Sequence, residues 1–318
     1  MPKPFSFENL FVYDLANNHQ GDIEHARNIV SAVGRVNRAG NINGALKFQF
    51  RQLDSFIHPD YRGRSDHKYV KRFSETRIEM ADFAALARHV RAEGLRTMCT
   101  PFDEESVDVI CDMNLDIIKI ASCSADDWPL LEKVARINKP VVVSTAGLRT
   151  DQIDALVNFF ETNRTEFGLM HCVALYPTPD DKLQLNRIAE MRDRYRNIPI
   201  GWSTHEDQDN CSAVQIAYAL GARMFERHVG LNTDKHKLNA YSSTPEQLEK
   251  WIAAFHAGRA MLGNEERPPV SPEERQTLTD LKRGVYVKRA VATGTALARG
   301  DVFFAMPVQE GQLVSGQW

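Results

Sequence analysis

The chain has 318 residues, 43% of them hydrophobic and 25% charged, a globular composition that excludes wholesale disorder. Its 39 basic and 42 acidic side chains give a formal net charge of −3, so the basic footprint of a nucleic-acid binder is absent. Mean hydropathy is −0.39 and no apolar run approaches a membrane span. The N-terminal sequence MPKPFSFENLFVYDLANN has no charged region followed by an apolar one, so no signal peptide is expected. Five cysteines (Cys99, Cys111, Cys123, Cys172, Cys211) form no CxxC pair and predict reduced thiols and a cytoplasmic protein.

Strand-like runs rich in β-branched and aromatic residues fall, in chain order, at 11–16 (FVYDLA), 44–50 (GALKFQF), 96–102 (RTMCTPF) and 117–122 (IIKIAS). Four more fall at 140–145 (PVVVST), 167–175 (FGLMHCVAL), 199–205 (PIGWSTH) and 223–230 (RMFERHVG). Helical spacing lies between them, as in Ile23, Ala26, Ile29, Val30 and Val33, or Phe83, Leu86, Ala87 and Val90. Thr244-Pro245-Glu246 predicts a capped helix with proline at its first position. These units, over residues 1–264, predict an α/β fold, a (β/α)8 TIM barrel. A doubly wound sheet is the alternative, but no Gly-rich phosphate loop follows the first strand. Residues 51–78 form an unusually long connection, read as a lid or as a surface excursion. Residues 265–280, overlapping GNEERPPVSPEER (263–275), read as a linker, and 281–318 as a small β-rich unit with Gly turns. That unit stops abruptly at Trp318, so the expectation is a piece of a longer chain.

Chemistry in such a barrel sits at the carboxyl ends of the strands. The first strand offers Asp14, then Asn18 and His19, and the second offers Lys47 and Gln49, two apart and so on one face. The third to fifth offer Thr100, Lys119, Ser122, Ser144 and Thr145, and the sixth to eighth Tyr176, Ser203, His205, Glu226 and His228. Two lysines inside barrel strands are anomalous, because a buried ammonium is costly unless paired. They read either as a structural ion pair with Glu226 or Asp14, or as an anion pocket completed by Thr100, Ser122, Ser144 and Ser203. The shared rim favours the pocket, suited to a phosphate and a carboxylate together. His205 and His228 end adjacent strands, about 5 Å apart, and are expected to share a divalent metal with positions left open for substrate. Nitrogen and oxygen ligands admit Mn, Mg, Zn, Fe or Co. His19 reads equally well as a turn residue, Cys123 as a packed thiol, and Glu206-Asp207-Gln208-Asp209 as a solvated helix start.

These strand ends resemble the sialic acid synthase family, which condenses phosphoenolpyruvate with an acylamino sugar. The resemblance rests on NNHQGD, LKFQ, TPFDEESV, KIAS with WPLLEKVA, KPVVVST, MHCVALYPTP, IGWSTH, FERH and SSTPEQL, in that order along nearly the whole barrel. From Leu281 the chain resembles the start of the antifreeze-like (SAF) domain of that family, here incomplete. The resemblance implies that Lys47, Thr100, Lys119, Ser122, Ser144 and Ser203 bind phosphoenolpyruvate and that His205 and His228 hold the metal. Manganese is expected first, with magnesium or cobalt as alternatives. Gln49, Tyr176 and Asn18 fit family motifs, and Glu226, within FERH, joins them at the substrates. A homodimer is implied, with the small domain of one subunit covering the barrel of the other. The acceptor side departs from the family. Asp14 and Ser124 stand where it has glutamates, Ala174 where it has asparagine, Leu238 where it has aspartate and Met306 where it has arginine. A site built to hydrogen-bond one substrate rejects its analogues, so the implied acceptor is another aldose or derivative rather than N-acetylmannosamine. The implied product is a 3-deoxy-2-keto sugar acid, with Asp14 orienting the sugar or a water. Two other readings stand beside this one: a Schiff-base aldolase using Lys47 or Lys119, and a non-catalytic protein that keeps the anion pocket.

Overall fold

The computed structural model describes residues 5–318. The chain divides into two units, Met1–Leu262 and Gly263–Trp318. In the first, parallel strands close into a barrel in sequence order. They are β1 (Leu10–Asp14), β2 (Asn43–Phe50), β3 (Arg96–Pro101), β4 (Ile117–Ile120), β5 (Val141–Ser144), β6 (Phe167–Cys172), β7 (Ile200–Thr204) and β8 (Met224–His228). β8 pairs back onto β1, with Asp14 opposite His228. Helix α1 (Ile23–Ala39) follows β1; α2 (Leu53–Phe56), α3 (Lys68–Glu75) and α4 (Met80–Ala92) follow β2. One helix follows each later strand: α5 (Glu104–Asp112), α6 (Trp128–Ala135), α7 (Thr150–Thr162), α8 (Asn186–Arg194), α9 (Ser212–Ala219) and α10 (Pro245–Leu262). This is the (β/α)8 barrel that the strand pattern predicts.

Strand alternation builds the interior. Phe11, Tyr13, Leu46, Phe48, Ile118 and Val143 pack outward with the helices. Leu10, Val12, Ala45, Met98, Ile117, Val142, Met170 and Met224 form a separate apolar cluster inside the barrel. Two residues further along, the same face turns polar: Asp14, Lys47, Thr100, Lys119, Ser144 and Glu226, all buried. An apolar floor thus carries a polar layer, and the layer lies at the carboxyl end of the strands.

The seam between first and last strand is sealed by α10. Trp251 and Phe255 meet Phe11 and Phe225 with ring centroids 4.9 to 6.5 Å apart. A reciprocal cap starts that helix: Gln247 N donates to Thr244 Oγ1 at 3.4 Å, and Thr244 N donates to Gln247 Oε1 at 3.1 Å. The long connection after β2 is structured: it carries α2 and α3, and Ile57 and Ile78 are buried.

The segment 265–280, read from the sequence as a linker, contains a helix, α11 (Pro272–Asp280). Ser271 accepts from Glu274 N at 3.1 Å, proline occupies the first turn, and Glu273 and Glu274 face the positive end of the dipole. Ser-Pro-Glu-Glu is a helix start that the neighbouring prolines obscure. In the second unit β9 (Gly284–Val287) pairs antiparallel with β10 (Val302–Ala305), and Tyr286 stacks on Phe303 at 5.5 Å. No helix among the described residues is long and apolar enough to cross a membrane.

Close packing of β7 against β8 requires glycine at 201. A Cβ there would lie 2.6 Å from Met224 Cβ and 2.8 Å from its carbonyl oxygen, whereas at Gly168 the nearest atom is the mobile Met224 methyl at 2.6 Å. Gly201→Ala is expected to cost about 1–3 kcal/mol by overpacking, and Gly168→Ala less. Thermal unfolding of the two variants checks the order.

Candidate active site

The polar layer is a network of compensated charges. Lys47 Nζ lies 2.9 Å from Asp14 Oδ2 and 3.1 Å from Glu226 Oε1. Lys119 Nζ lies 3.8 Å from Glu226 Oε2, donates to Ser144 Oγ at 2.5 Å and donates to the Ile120 carbonyl at 3.1 Å. Ser203 Oγ donates to Glu226 Oε1 at 3.2 Å, and Gln49 Nε2 donates to Asp14 Oδ2 at 3.2 Å. The ion pairing and the hydroxyl rim therefore occupy one layer. Glu226 sits inside that layer as the counter-ion of both lysines.

Burial and pairing act against each other on these groups. Burial alone would raise the Asp14 carboxyl, but Lys47 and His228 hold it down to about 2. Burial would likewise raise Glu226, and the two lysines keep it below its usual range. The two lysines separate. Lys47, between two carboxylates, is raised despite burial, while Lys119 is lowered by burial with one carboxylate at the edge of contact. Lys47 is thus a fixed cation, and Lys119 releases its proton more readily.

His205 and His228 stand side by side with ring centroids 5.3 Å apart. Burial pushes His205 down to about 3 and lowers His228 as well, so both are neutral imidazoles at pH 7. Tyr176 covers His205 at 4.2 Å, and Tyr241 meets both Tyr176 and His228 at 5.3 Å. Tyr241 lies in the loop after β8, where no sequence motif singled it out.

Several of the expected site residues also make contacts within the fold. Asn18, expected at the substrate, donates both amide hydrogens, to the Val229 carbonyl at 2.8 Å and Ser242 Oγ at 2.9 Å. Its amide oxygen accepts from Asn239 Nδ2 at 2.9 Å, so it ties down the loop after β8. Ser122 Oγ accepts from Ala146 N at 3.0 Å, joining the ends of β4 and β5. Thr100 Oγ1 is buried with no hydrogen-bond partner, a hydroxyl still to be satisfied. His19 is buried, accepts from Gly21 N at 3.1 Å and is lowered to about 4, mainly by burial.

The model of the NeuB family matches residues 38–267. The chain belongs to the NeuB family. This is the sialic acid synthase-like group that the strand-end motifs resemble. It is 47% identical to the solved structure of a putative spore coat polysaccharide biosynthesis protein E from Chromobacterium violaceum, with a TM-score of 0.93 over 98% of this chain and 93% of that one. It is 30% identical to an uncharacterised protein of Methanocaldococcus jannaschii over 91% of this chain and 82% of the relative. It is 32% identical to the N-acetylneuraminate-9-phosphate synthase of Drosophila melanogaster over 77% of this chain and 66% of the relative.

The histidine pair of this NeuB-family chain fits a divalent ion in its donor chemistry. The Nδ1 of His205 lies 3.1 Å from the Val173 carbonyl oxygen, which only accepts, so Nδ1 carries the proton and Nε2 keeps its lone pair. His228 Nδ1 is buried with no partner, and its Nε2 lies 3.5 Å from Asp14 Oδ2. Among the described residues, no cluster of three or more His, Cys, Asp or Glu side chains forms a closed metal cage. A metal held here would take its remaining ligands from substrate and water.

Buried neutral histidines make stability depend on pH. A histidine held at about 3 or 4 when folded, against 6.5 when unfolded, leaves the unfolded chain binding the extra proton as pH falls. Its stability contribution is complete above pH 6.5 and is lost on acidification toward the folded value. At pH 5 the loss is about 2 kcal/mol for each of His205 and His19. Denaturant unfolding at pH 7.5 and 5 should show the drop, and His19→Gln should reduce it.

Proposed function

We propose that this chain condenses phosphoenolpyruvate with an aldose-type acceptor, giving a 3-deoxy-2-keto sugar acid and phosphate. The observation that carries this reading is the polar layer itself. Two buried lysines of unequal proton affinity stand among serine and threonine hydroxyls, one step from a neutral histidine pair. Membership of the NeuB family, with relatives named as synthases of nonulosonic acids, supports it.

The chemistry follows from what each side chain holds. Lys119 and Ser144 present donors to an anion, and Thr100 brings the unpartnered hydroxyl. Lys47 stays protonated and fixes the positions of Asp14 and Glu226. Asp14, ionised even in acid, is a weak base. It orients the acceptor or the attacking water through its acceptor oxygens. Tyr176 and Tyr241 wall the histidines. His205 and His228 would hold the divalent metal, Mn first, which supplies polarisation of a carbonyl oxygen. In the overall reaction the methylene carbon of phosphoenolpyruvate bonds to the aldehyde carbon, whose oxygen takes a proton and becomes a hydroxyl. Water adds at the neighbouring carbon that bears the phosphate, phosphate leaves with the electrons of its C–O bond, and that carbon becomes the keto group.

The same proposal extends to assembly and setting. The second unit is of the SAF type and acts in a homodimer, and the five free thiols support a reducing cytoplasm. One observation favours a second reading. Lys119 has a lowered proton affinity, as an imine-forming amine requires. Borohydride trapping with pyruvate separates the two: an adduct on Lys119 supports the aldolase and counts against the condensation.

The deciding assay is phosphate release from phosphoenolpyruvate with Mn across a panel of aldoses and acylamino sugars. Release with one acceptor is expected. Ser144→Ala should lower kcat/KM by about 10- to 100-fold through loss of one charge-assisted donor. A wild-type protein that neither binds nor consumes phosphoenolpyruvate overturns the proposal.

A further inference from the structure

Arg51, just past the end of β2, is a half-buried cation with no ion pair among the described residues. Its guanidinium is sandwiched between the rings of Phe73, on α3, at 4.0 Å and Phe102, just past β3, at 3.5 Å from the centroids. Its one hydrogen bond is from Nη2 to Gln49 Oε1 at 3.3 Å, and its Nε is buried with no partner. Burial pushes the group down to about 10, so it stays charged at neutral pH. Such a group costs free energy until an anion meets it. Stacking fixes the plane of the fork and leaves Nε and Nη1 without hydrogen-bond partners among the described residues, donors of the kind that recognise a carboxylate or phosphate.

Arg51 lines a cavity of about 380 Å³ together with Asn17, His19, Gln49, Phe73 and Arg77, among others. None of the six residues assigned to phosphoenolpyruvate lines it. It is nevertheless coupled to the polar layer, because Gln49 bridges Arg51 to Asp14. The acidic groups at its mouth are engaged elsewhere: Asp54 and Glu79 lie 3.6 and 3.4 Å from Arg77, and Glu105 accepts from Ser55 at 3.0 Å. Of the two arginines that line it, Arg77 is thus met by carboxylates and Arg51 is not.

We propose that this cavity is the acceptor pocket and that Arg51 selects an acceptor sugar carrying a negative group, a carboxylate or a phosphate, away from its aldehyde. The inference rests on the condensation proposed above and names its acceptor class.

The test is calorimetry on protein loaded with phosphoenolpyruvate and Mn, titrated with aldoses in three forms: neutral, uronate and 6-phosphate. At least one charged form should bind about tenfold or more tighter than its neutral counterpart. The uronate and 6-phosphate arms tell which anion is read. In Arg51→Met the preference should disappear while phosphoenolpyruvate affinity is unchanged, which also reports an intact barrel. Arg51→Lys, keeping charge but not the planar fork, should retain part of it. Equal binding of charged and neutral sugars, no binding of any charged form, an unaltered preference in Arg51→Met, or weakened phosphoenolpyruvate binding there overturns the inference. Absent phosphoenolpyruvate binding by the wild type overturns the proposed reaction instead.

Discussion

Lys47 is held between two buried carboxylates, and the architecture of the site follows from that contact. Asp14 comes from β1, Lys47 from β2, Lys119 from β4 and Glu226 from β8. No open sheet brings the first and last of these strands together. The β1–β8 pairing does, and the Trp251–Phe255 cluster of α10 holds it closed. The dependence runs both ways. An apolar interior with one unpaired ammonium or carboxylate would be destabilised by about 3–5 kcal/mol, so each charge is tolerable only when the barrel delivers its partner.

That arrangement makes two lysines of the same chemical type unequal. Lys47 has a carboxylate on each side and keeps its proton, whereas Lys119 faces Glu226 at 3.8 Å and leans on Ser144 and a backbone carbonyl. One anchors the layer and the other is available. The asymmetry arises from position around the barrel rather than from residue type, and it is why a condensation and an imine mechanism make different demands on the same two side chains.

The barrel was legible in the sequence because its signal is local: a period of two within each run, with the apolar floor and polar layer on one face. The polar layer was legible for the same reason, since Lys47, Lys119 and Glu226 break that apolar face at matching depth. What the sequence hid was set at long range. Asn18 sits in a family-like motif, yet its hydrogen-bond partners are Val229, Ser242 and Asn239, over two hundred residues away and invisible to spacing. Arg51 lies in a highly charged connection and reads as one more solvated cation. Only the approach of Phe73 and Phe102 covers its guanidinium. Tyr241 had no periodic context at all, because its loop is positioned by the tie to Asn18.

Charge balance then governs how an anionic substrate is received. Two lysines against two carboxylates, beside two neutral imidazoles, leave the polar layer with no net charge to attract anything. Lysine count is therefore a poor measure of its affinity for an anion. Binding has to come from preorganised donors, the hydroxyl of Thr100 and the fork of Lys119 with Ser144, and from cations outside the cluster. Arg51 is such a cation, held apart from the layer yet joined to it by Gln49 and Asp14. A neutral layer flanked by one committed guanidinium suits two anions that bind in different places, since neither has to displace a carboxylate that the fold needs.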